Sequence, residues 1–314
     1  MQTSVLKNYP AGVPHTVDPG QYRSLGQLFE ESFKRYADRP FSVCLERWMS
    51  YRELDELSAA LGAWLQGRGL EPGARVAIML PNIPQFAVTM AAVLRAGYTC
   101  VNVNPLYTAR ELEHQLKDSG ATAIVILENF AQTLEQVIDR TGVQHVVVTA
   151  MGDLLGGLYG QWITFAVRNL AKMVPAYKLP LDKERTVTRF SNAVSQGRGR
   201  PLAPTDNTLD SIAFLQYTGG TTGLSKGAVL THRNIVAATL QAEAWFTPAL
   251  ERAGDLSKVN SIAALPLYHI FALTLCLLAI RQGSHLTLIP NPRDMRKFIA
   301  VLKKRPFHML PAVN

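Results

Sequence analysis

From residue 75 onward the chain alternates short apolar runs with amphipathic ones, and few folds accept that rhythm. Residues 75–80 read as a strand and 84–95 as a helix ended by Gly97. Residues 98–103 return as a strand. Thr108 caps the next helix, and Glu111, three residues on, completes a capping box. Strands follow over 121–127 and 143–149, with a helix over 130–140 between them. Apolar strands that alternate with helices at this pace predict an α/β fold, with mostly parallel sheets flanked by helices. Two helices precede the alternation: 24–36, with Leu25, Leu28, Phe29 and Phe33 on one face, and 52–66.

Residues 151–206 interrupt the rhythm. Between Met151 and Arg200 stand eight basic and three acidic residues, a net +5 against +8 for the whole chain. A Gly/Arg/Pro patch, Gln196-Gly-Arg-Gly-Arg-Pro201, closes the segment. The alternation resumes with a strand at 211–217. It continues through a helix at 232–246 capped by Thr231, a strand at 260–265, a helix at 269–281 and a strand at 285–289. Asp294 caps a helix over 295–304, and 307–310 starts another strand. The expected organisation is a first α/β half, 1–150, a basic connector or insertion, 151–206, and a second half, 207–314.

Between the 211–217 strand and the 232–246 helix lies Tyr217-Thr-Gly-Gly-Thr-Thr-Gly-Leu-Ser-Lys226-Gly227. Four glycines, three threonines, a serine and a lysine fill nine of its eleven positions. Glycines let backbone N–H groups turn toward a ligand without a Cβ in the way, and clustered N–H groups form anion-binding concavities. The hydroxyls of Thr218, Thr221 and Thr222 add donors, and Lys226 adds a positive charge. The string suits the phosphates of a nucleotide better than it suits a plain Gly/Thr surface loop. It is not the common NTPase phosphate loop, which has Gly before its Lys, Ser or Thr after it, and a helix next. Here Ser225 precedes Lys226, Gly227 follows, and residues 228–231 look extended.

The string Tyr217–Gly227 resembles the phosphate-loop signature of the adenylate-forming superfamily, which holds acyl-CoA synthetases, luciferases and the adenylation domains of peptide synthetases. A second motif, Leu265-Pro-Leu-Tyr-His269-Ile-Phe-Ala-Leu273, follows at the family's spacing. Val101-Asn-Val-Asn-Pro-Leu-Tyr-Thr108, Glu111-Leu-Glu-His-Gln-Leu116, Phe214-Leu-Gln216, Thr231-His-Arg-Asn234 and Asn291-Pro-Arg-Asp294 are similar to the bacterial long-chain-fatty-acid–CoA ligase branch. The resemblance runs from near the N-terminus to Asn314. It implies activation of a fatty acid with ATP to an acyl adenylate, then transfer of the acyl group to coenzyme A.

It also implies roles for residues. The ATP contacts would be Tyr217, Thr218, Gly219, Gly220, Thr221, Thr222, Gly223, Leu224, Ser225, Lys226, Gly227 and Ala228, with Thr218 the candidate Mg²⁺ ligand. His269 would sit near the acyl carboxylate; the other reading is a helix-terminal histidine satisfying local backbone groups. Tyr268, Phe271 and Leu273 are candidates for an acyl pocket, and periodicity alone equally makes them core. Gly219 and Ser225 stand where many relatives have Ser or Thr and Pro, which leaves the backbone donors in place. The family's catalytic lysine, ribose-holding acid, hinge and mobile C-terminal domain have no counterpart here, and the resemblance places the catalytic lysine beyond Asn314. The chain is therefore expected to be an incomplete N-terminal adenylation domain. Two alternatives stay open: a ligase for another acid, or a nucleotide-binding fragment without catalysis.

Composition narrows the setting. Cys44, Cys100 and Cys276 show no metal or redox spacing, which points to a reducing cytoplasm. The longest mainly apolar run, 270–280, falls short of the ~20 residues a bilayer span needs. Within the basic segment Trp162, Phe165, Ala166, Leu170 and Met173 recur at helical spacing, with Arg168 and Lys172 off the stripe. Such a helix either lies on an anionic membrane surface at the inner face, the contact running through 160–178, or packs its stripe on the core. No nucleic-acid module accompanies the charge. His114 and His232 read as structural, and Glu111 with Glu113 as a solvated face. Association into oligomers is a further expectation.

Overall fold

A computed structural model describes residues 8–180, 185–218, 225–252 and 254–313. Among these residues two sheets form. The larger has the order β7-β6-β5-β3-β4-β8-β9. Its strands are β3 (Arg75–Met79), β4 (Thr99–Asn102), β5 (Ala121–Leu127), β6 (His145–Thr149), β7 (Thr186–Arg189), β8 (Ile212–Thr218) and β9 (Lys226–Thr231). All neighbours pair parallel except β8 and β9. The smaller sheet runs β10-β11-β1-β2, with β1 (Pro40–Cys44), β2 (Arg47–Ser50), β10 (Asn260–Ala263) and β11 (His285–Leu288).

The two sheets do not follow the order of the sequence. β8 leaves the second segment to pair with β4, while β1 leaves the first to pair with β11. The basic connector is part of the architecture as well. It supplies β7 at one edge of the large sheet, and then the helix Phe190–Gly197. That helix lies so close to helix Tyr51–Gln66 that a Cβ on Gly197 would meet the Ala60 carbonyl oxygen at 1.9 Å.

Local signals place most helices. Ser24 and Ser50 cap Leu25–Arg35 and Tyr51–Gln66. Thr108 and Glu111 form the full capping box ahead of Ala109–Ser119, and Asp294 accepts from Lys297 N–H to start Met295–Lys304. Helix Pro84–Arg95 is buried at every residue but Arg95, because it sits between the two sheets' packing layers. The expected helix over 130–140 is broken. Only Ala131–Glu135 is α-helical, between 3-10 turns at Glu128–Phe130 and Ile138–Arg140. Consecutive β-branched Val137 and Ile138 are both buried, and the chain leaves the helix to bury both.

Two further bounds differ. The helix that begins at His232 runs to Arg252 through Pro248, held in its last turn by buried Leu250. Residues 307–310 form no strand among the described residues, only a single bridge from Met309 to Ser261. Asn314, the position beyond which the catalytic lysine is expected, lies outside the described residues. The helix Leu25–Arg35 and the start of helix Tyr51–Gln66 are tied to the second motif's helix, Ile270–Gln282. The buried Tyr51 hydroxyl donates to the Ala279 carbonyl at 2.6 Å.

Candidate functional site

The site grows from the end of β8. Strands β8 and β9 pair antiparallel with Thr218 opposite Lys226, Tyr217 opposite Gly227 and Gln216 opposite Ala228. β8 and β9 are therefore the two arms of a hairpin, connected through 219–224, at the edge of the large sheet. Its residues Gly219, Gly220, Thr221, Thr222, Gly223 and Leu224 lie outside the described residues. Thr218 and Lys226, both exposed, stand at the two ends of that connection.

Tyr217 anchors the hairpin rather than facing solvent. It is buried, and its hydroxyl donates to Asp118. Burial, then the Asp118 carboxylate, raises its pKa, so it stays a neutral donor. Its ring lies against Gly227, where a Cβ would come within 2.9 Å of the ring. Gly227 thus serves packing, a role the phosphate-binding reading of the string missed. On the other side His114 Nε2 lies 3.0 Å from the Ser225 carbonyl oxygen and holds the exit of the connection. Ala228 is exposed on β9.

The second motif comes to the same place. Gln216 Nε2 donates to the Tyr268 carbonyl at 2.9 Å, and Gln216 Oε1 accepts from Asn102 Nδ2 at 3.1 Å. Asn82 holds the segment just before: its Nδ2 donates to the carbonyls of Ala263 and Leu265, and its Oδ1 accepts from Leu267 N–H, each at 2.8 Å. Asn82, Asn102 and Gln216 are all buried. Gln216 was quoted in the sequence only as part of a string. Asn82 follows a strand and a proline, a position that carries no local sign of its three long-range bonds.

His269 is the N-cap residue of Ile270–Gln282, with extended φ and ψ, and its side chain makes no cap hydrogen bond. It is exposed, and its ring packs against Tyr268 with centroids 4.9 Å apart. The backbone-satisfying alternative for His269 therefore has no bond to support it among the described residues. Tyr268 is half-buried, and burial raises its pKa, Tyr107 adding to that rise and Arg293 opposing it. Phe271 is exposed and lines an apolar cavity of about 290 Å³ with Ala242, Phe246, Leu275, Leu278 and Met309. Leu273 does not line it. Leu273 is wholly buried in the main core, because two residues along the helix turn it to the face opposite Phe271.

Of the remaining histidines, His145, His232 and His308 hydrogen-bond within the fold. Buried His232 accepts through Nδ1 from Leu25 N–H at 3.0 Å, and burial pushes its pKa down to about 4. Cys44, Cys100 and Cys276 are buried and unpaired, and burial raises each thiol's pKa. Glu111 closes its capping box, while Glu113 pairs with Lys117 and Arg140. No cluster of three or more metal-binding side chains occurs among the described residues.

Comparison with known proteins agrees with this arrangement. The family model of AMP-binding enzymes matches residues 29–314. A long-chain-fatty-acid–CoA ligase of Escherichia coli O157:H7 is 48% identical over 311 residues, 98% of this chain and 54% of that protein. One of Bacillus subtilis (strain 168) is 31% identical, again over 98% of this chain and 54% of its own. The crystal structure of a long-chain-fatty-acid–CoA ligase from Archaeoglobus fulgidus shares the fold, with a TM-score of 0.70 at 22% identity over 95% of this chain and 52% of that one. The chain spans about half the length of the curated relatives it matches. With the hairpin at Thr218 and Lys226 tied through Gln216 to the Tyr268–His269 motif, this chain belongs to the AMP-binding enzyme family.

Proposed function

We propose that this chain carries the nucleotide- and carboxylate-binding part of an ATP-dependent ligase that converts long-chain fatty acids to their CoA thioesters. The observation that carries the reading is the Gln216–Tyr268 bond, which joins the phosphate hairpin to the motif of His269. A carboxylate held near His269 would attack the α-phosphorus of ATP. The P–O bond to pyrophosphate breaks and acyl-AMP forms. The thiol of coenzyme A then gives up its proton, its sulfur bonds the acyl carbon, and AMP leaves. Positioning and charge stabilisation dominate such a step.

In this reading the amides of Gly219, Gly220 and Gly223, with Thr221, Thr222 and Lys226, hold the phosphates. Magnesium arrives with the nucleotide, since Mg²⁺ takes phosphate oxygens, waters and one or two protein oxygens. The Thr218 hydroxyl fits that need: it is exposed at the hairpin mouth, and the nearby Asp118 is already engaged by Tyr217. The cavity beside Phe271 takes the start of the alkyl chain, its lining almost free of polar groups; the Thr274 hydroxyl there is bonded to the Ile270 carbonyl. We assign residues 1–314 to the N-terminal adenylation domain of such an enzyme.

ATP affinity tests the reading. Lys226→Ala removes one charge-assisted contact, worth about 1.5–3 kcal/mol, so binding should weaken roughly 10- to 100-fold. Unchanged affinity would remove the phosphate role of the hairpin. A panel of acids separates the long-chain reading from an aryl or short-chain one.

A peripheral membrane contact at the inner face of the membrane belongs to the same proposal. No described helix is long and apolar enough to cross a membrane. Yet Leu158, Trp162, Phe165 and Leu170 are 83%, 59%, 53% and 64% exposed. That stripe does not pack on the core. Arg168, expected on the solvated face, instead closes on the buried carboxylate of Glu128, which leaves Lys172 and Lys178 as the nearby charges for anionic lipid. Self-association through the same stripe is the competing outcome of a vesicle-binding assay.

A further inference from the structure

The N-terminal segment before Asp18 crosses helix His232–Arg252, and a cavity opens on either side of it. On one side lie about 640 Å³ bordered by Tyr9, Pro14, His15, Val17, Trp245 and Phe246. Tyr9 packs on Trp245 with ring centroids 5.0 Å apart and edge-on against His15 at 5.6 Å. On the other side lie about 840 Å³ bordered by Asp18, Glu243, Glu251, Arg252 and Arg281, where Glu243 pairs with Arg281 at 3.3 Å.

The aromatic cavity adjoins the apolar one beside Phe271, for both include Ala242 and Phe246. These two residues are one helical turn apart and share a face. The cavity beside Phe271 holds about 290 Å³. At about 30 Å³ for a group the size of a water molecule, that is room for roughly ten methylenes. A hexadecanoyl chain overfills it. Of the two cavities beside the N-terminal segment, the one with Tyr9 and Trp245 shares lining residues with this cavity and the other shares none, so the overflow goes past Ala242 and Phe246 toward Trp245.

The helix ladder is one bond short at this crossing. Pro248 has no N–H, so the Ala244 carbonyl lacks its donor four residues on. Ala244 borders both cavities flanking the N-terminal segment.

We infer that Tyr9, His15 and Trp245 form the far wall of the alkyl site and set the longest chain it accepts. The inference rests on the acyl reading above. The test is the affinity of this chain for octanoate, dodecanoate and hexadecanoate, below micelle-forming concentrations.

Ala242→Phe narrows the passage between the cavities. The ratio of hexadecanoate to octanoate affinity should fall roughly tenfold, what about two lost buried methylenes do. Trp245→Ala and Tyr9→Ala open the wall, and the ratio should rise. A hexadecanoate brominated at mid-chain should quench the fluorescence that is lost in Trp245→Phe, and one brominated beside the carboxylate should leave it. If hexadecanoate binds but neither the ratio nor Trp245 responds, the wall is elsewhere and the acyl reading stands. If no fatty acid binds, both fall.

Discussion

Helices Pro84–Arg95 and Gly157–Phe165 are both strongly apolar, yet they meet opposite fates. The first buries eleven of its twelve residues, all but Arg95. The second buries only Gly160. The first connects two adjacent parallel strands, so a sheet and neighbouring helices enclose it. The second follows β6, near the sheet's edge, and among the described residues no layer lies over it. It docks through backbone: a Cβ on Gly160 would meet the Gly152 carbonyl oxygen at 2.4 Å. About two turns further, Glu128 binds Arg168 through both carboxylate oxygens and Arg189 at 3.2 Å. Small residues and a charge clasp hold the helix, so its large side chains are left outward. Apolar character says that a side chain gains by leaving water; the topology decides whether it can.

The largest effect should come from breaking the buried helix. Phe86 is fully buried, and Phe86→Ala should cost about 3–5 kcal/mol in denaturant unfolding. A cost below about 1 kcal/mol would mean that this helix is no better enclosed than the exposed one.

Next comes the clasp. Glu128 is 1% exposed, while Arg168 and Arg189 are 39% and 48% exposed and can turn to water when it is removed. Glu128→Ala should therefore cost about 1–3 kcal/mol, less than an enclosed ion pair would. Proteolysis within residues 157–173 should accelerate well before global unfolding does. Equal protection of that segment in both proteins would show that the Gly152–Gly160 contact suffices.

Acid should strain the enclosed region and spare the exposed helix. His232 and His285 have pKa values pushed down to about 4, His232 by burial and His285 by burial first and then by His308 and Arg305. The unfolded chain takes up these protons near the ordinary value of 6.5, the folded chain only near 4. Their stabilising contribution is thus complete above about pH 6.5 and is lost as pH falls toward 4, at up to about 1.4 kcal/mol per pH unit for each group. His232→Gln should flatten that slope by about half across this window. Denaturant midpoints measured from pH 7 to pH 4 check it, and an unaltered slope would remove His232 from the account.

Legibility in the sequence followed the range of the interaction. The Thr108–Glu111 box and the Asp294 cap span three residues each, and local chemistry was enough to place them. The strand–helix alternation gave the α/β class for the same reason. The pairings of β8 with β4 and of β1 with β11 depend on which buried faces meet, and no periodicity records that. The strand Thr186–Arg189 was hidden in a basic segment because it is short and its burial is only partial. At the site, the Gly/Thr string and Tyr268–His269 were visible as motifs. Their junction was not, since Gln216 reaches Tyr268 across fifty-two residues and Asn82 reaches Leu267 across a hundred and eighty-five.

The smallest effect on the fold should come from the outward stripe, and there the contrast between the helices is sharpest. Trp162→Ser and Phe165→Ser replace side chains that are more than half exposed, so unfolding should change by no more than about 0.5 kcal/mol. Binding to vesicles containing anionic lipid should fall far more, because interfacial attachment scales with the apolar area inserted. Lys172→Glu should weaken the same binding in a salt-dependent way and leave neutral vesicles unaffected. Should both serine variants sediment with vesicles as the parent does, while the parent's own mass in solution halves on substitution, the stripe joins copies of this chain. Unchanged stability together with unchanged attachment and mass would leave the stripe without a partner of either kind, and the cost of exposing it unexplained.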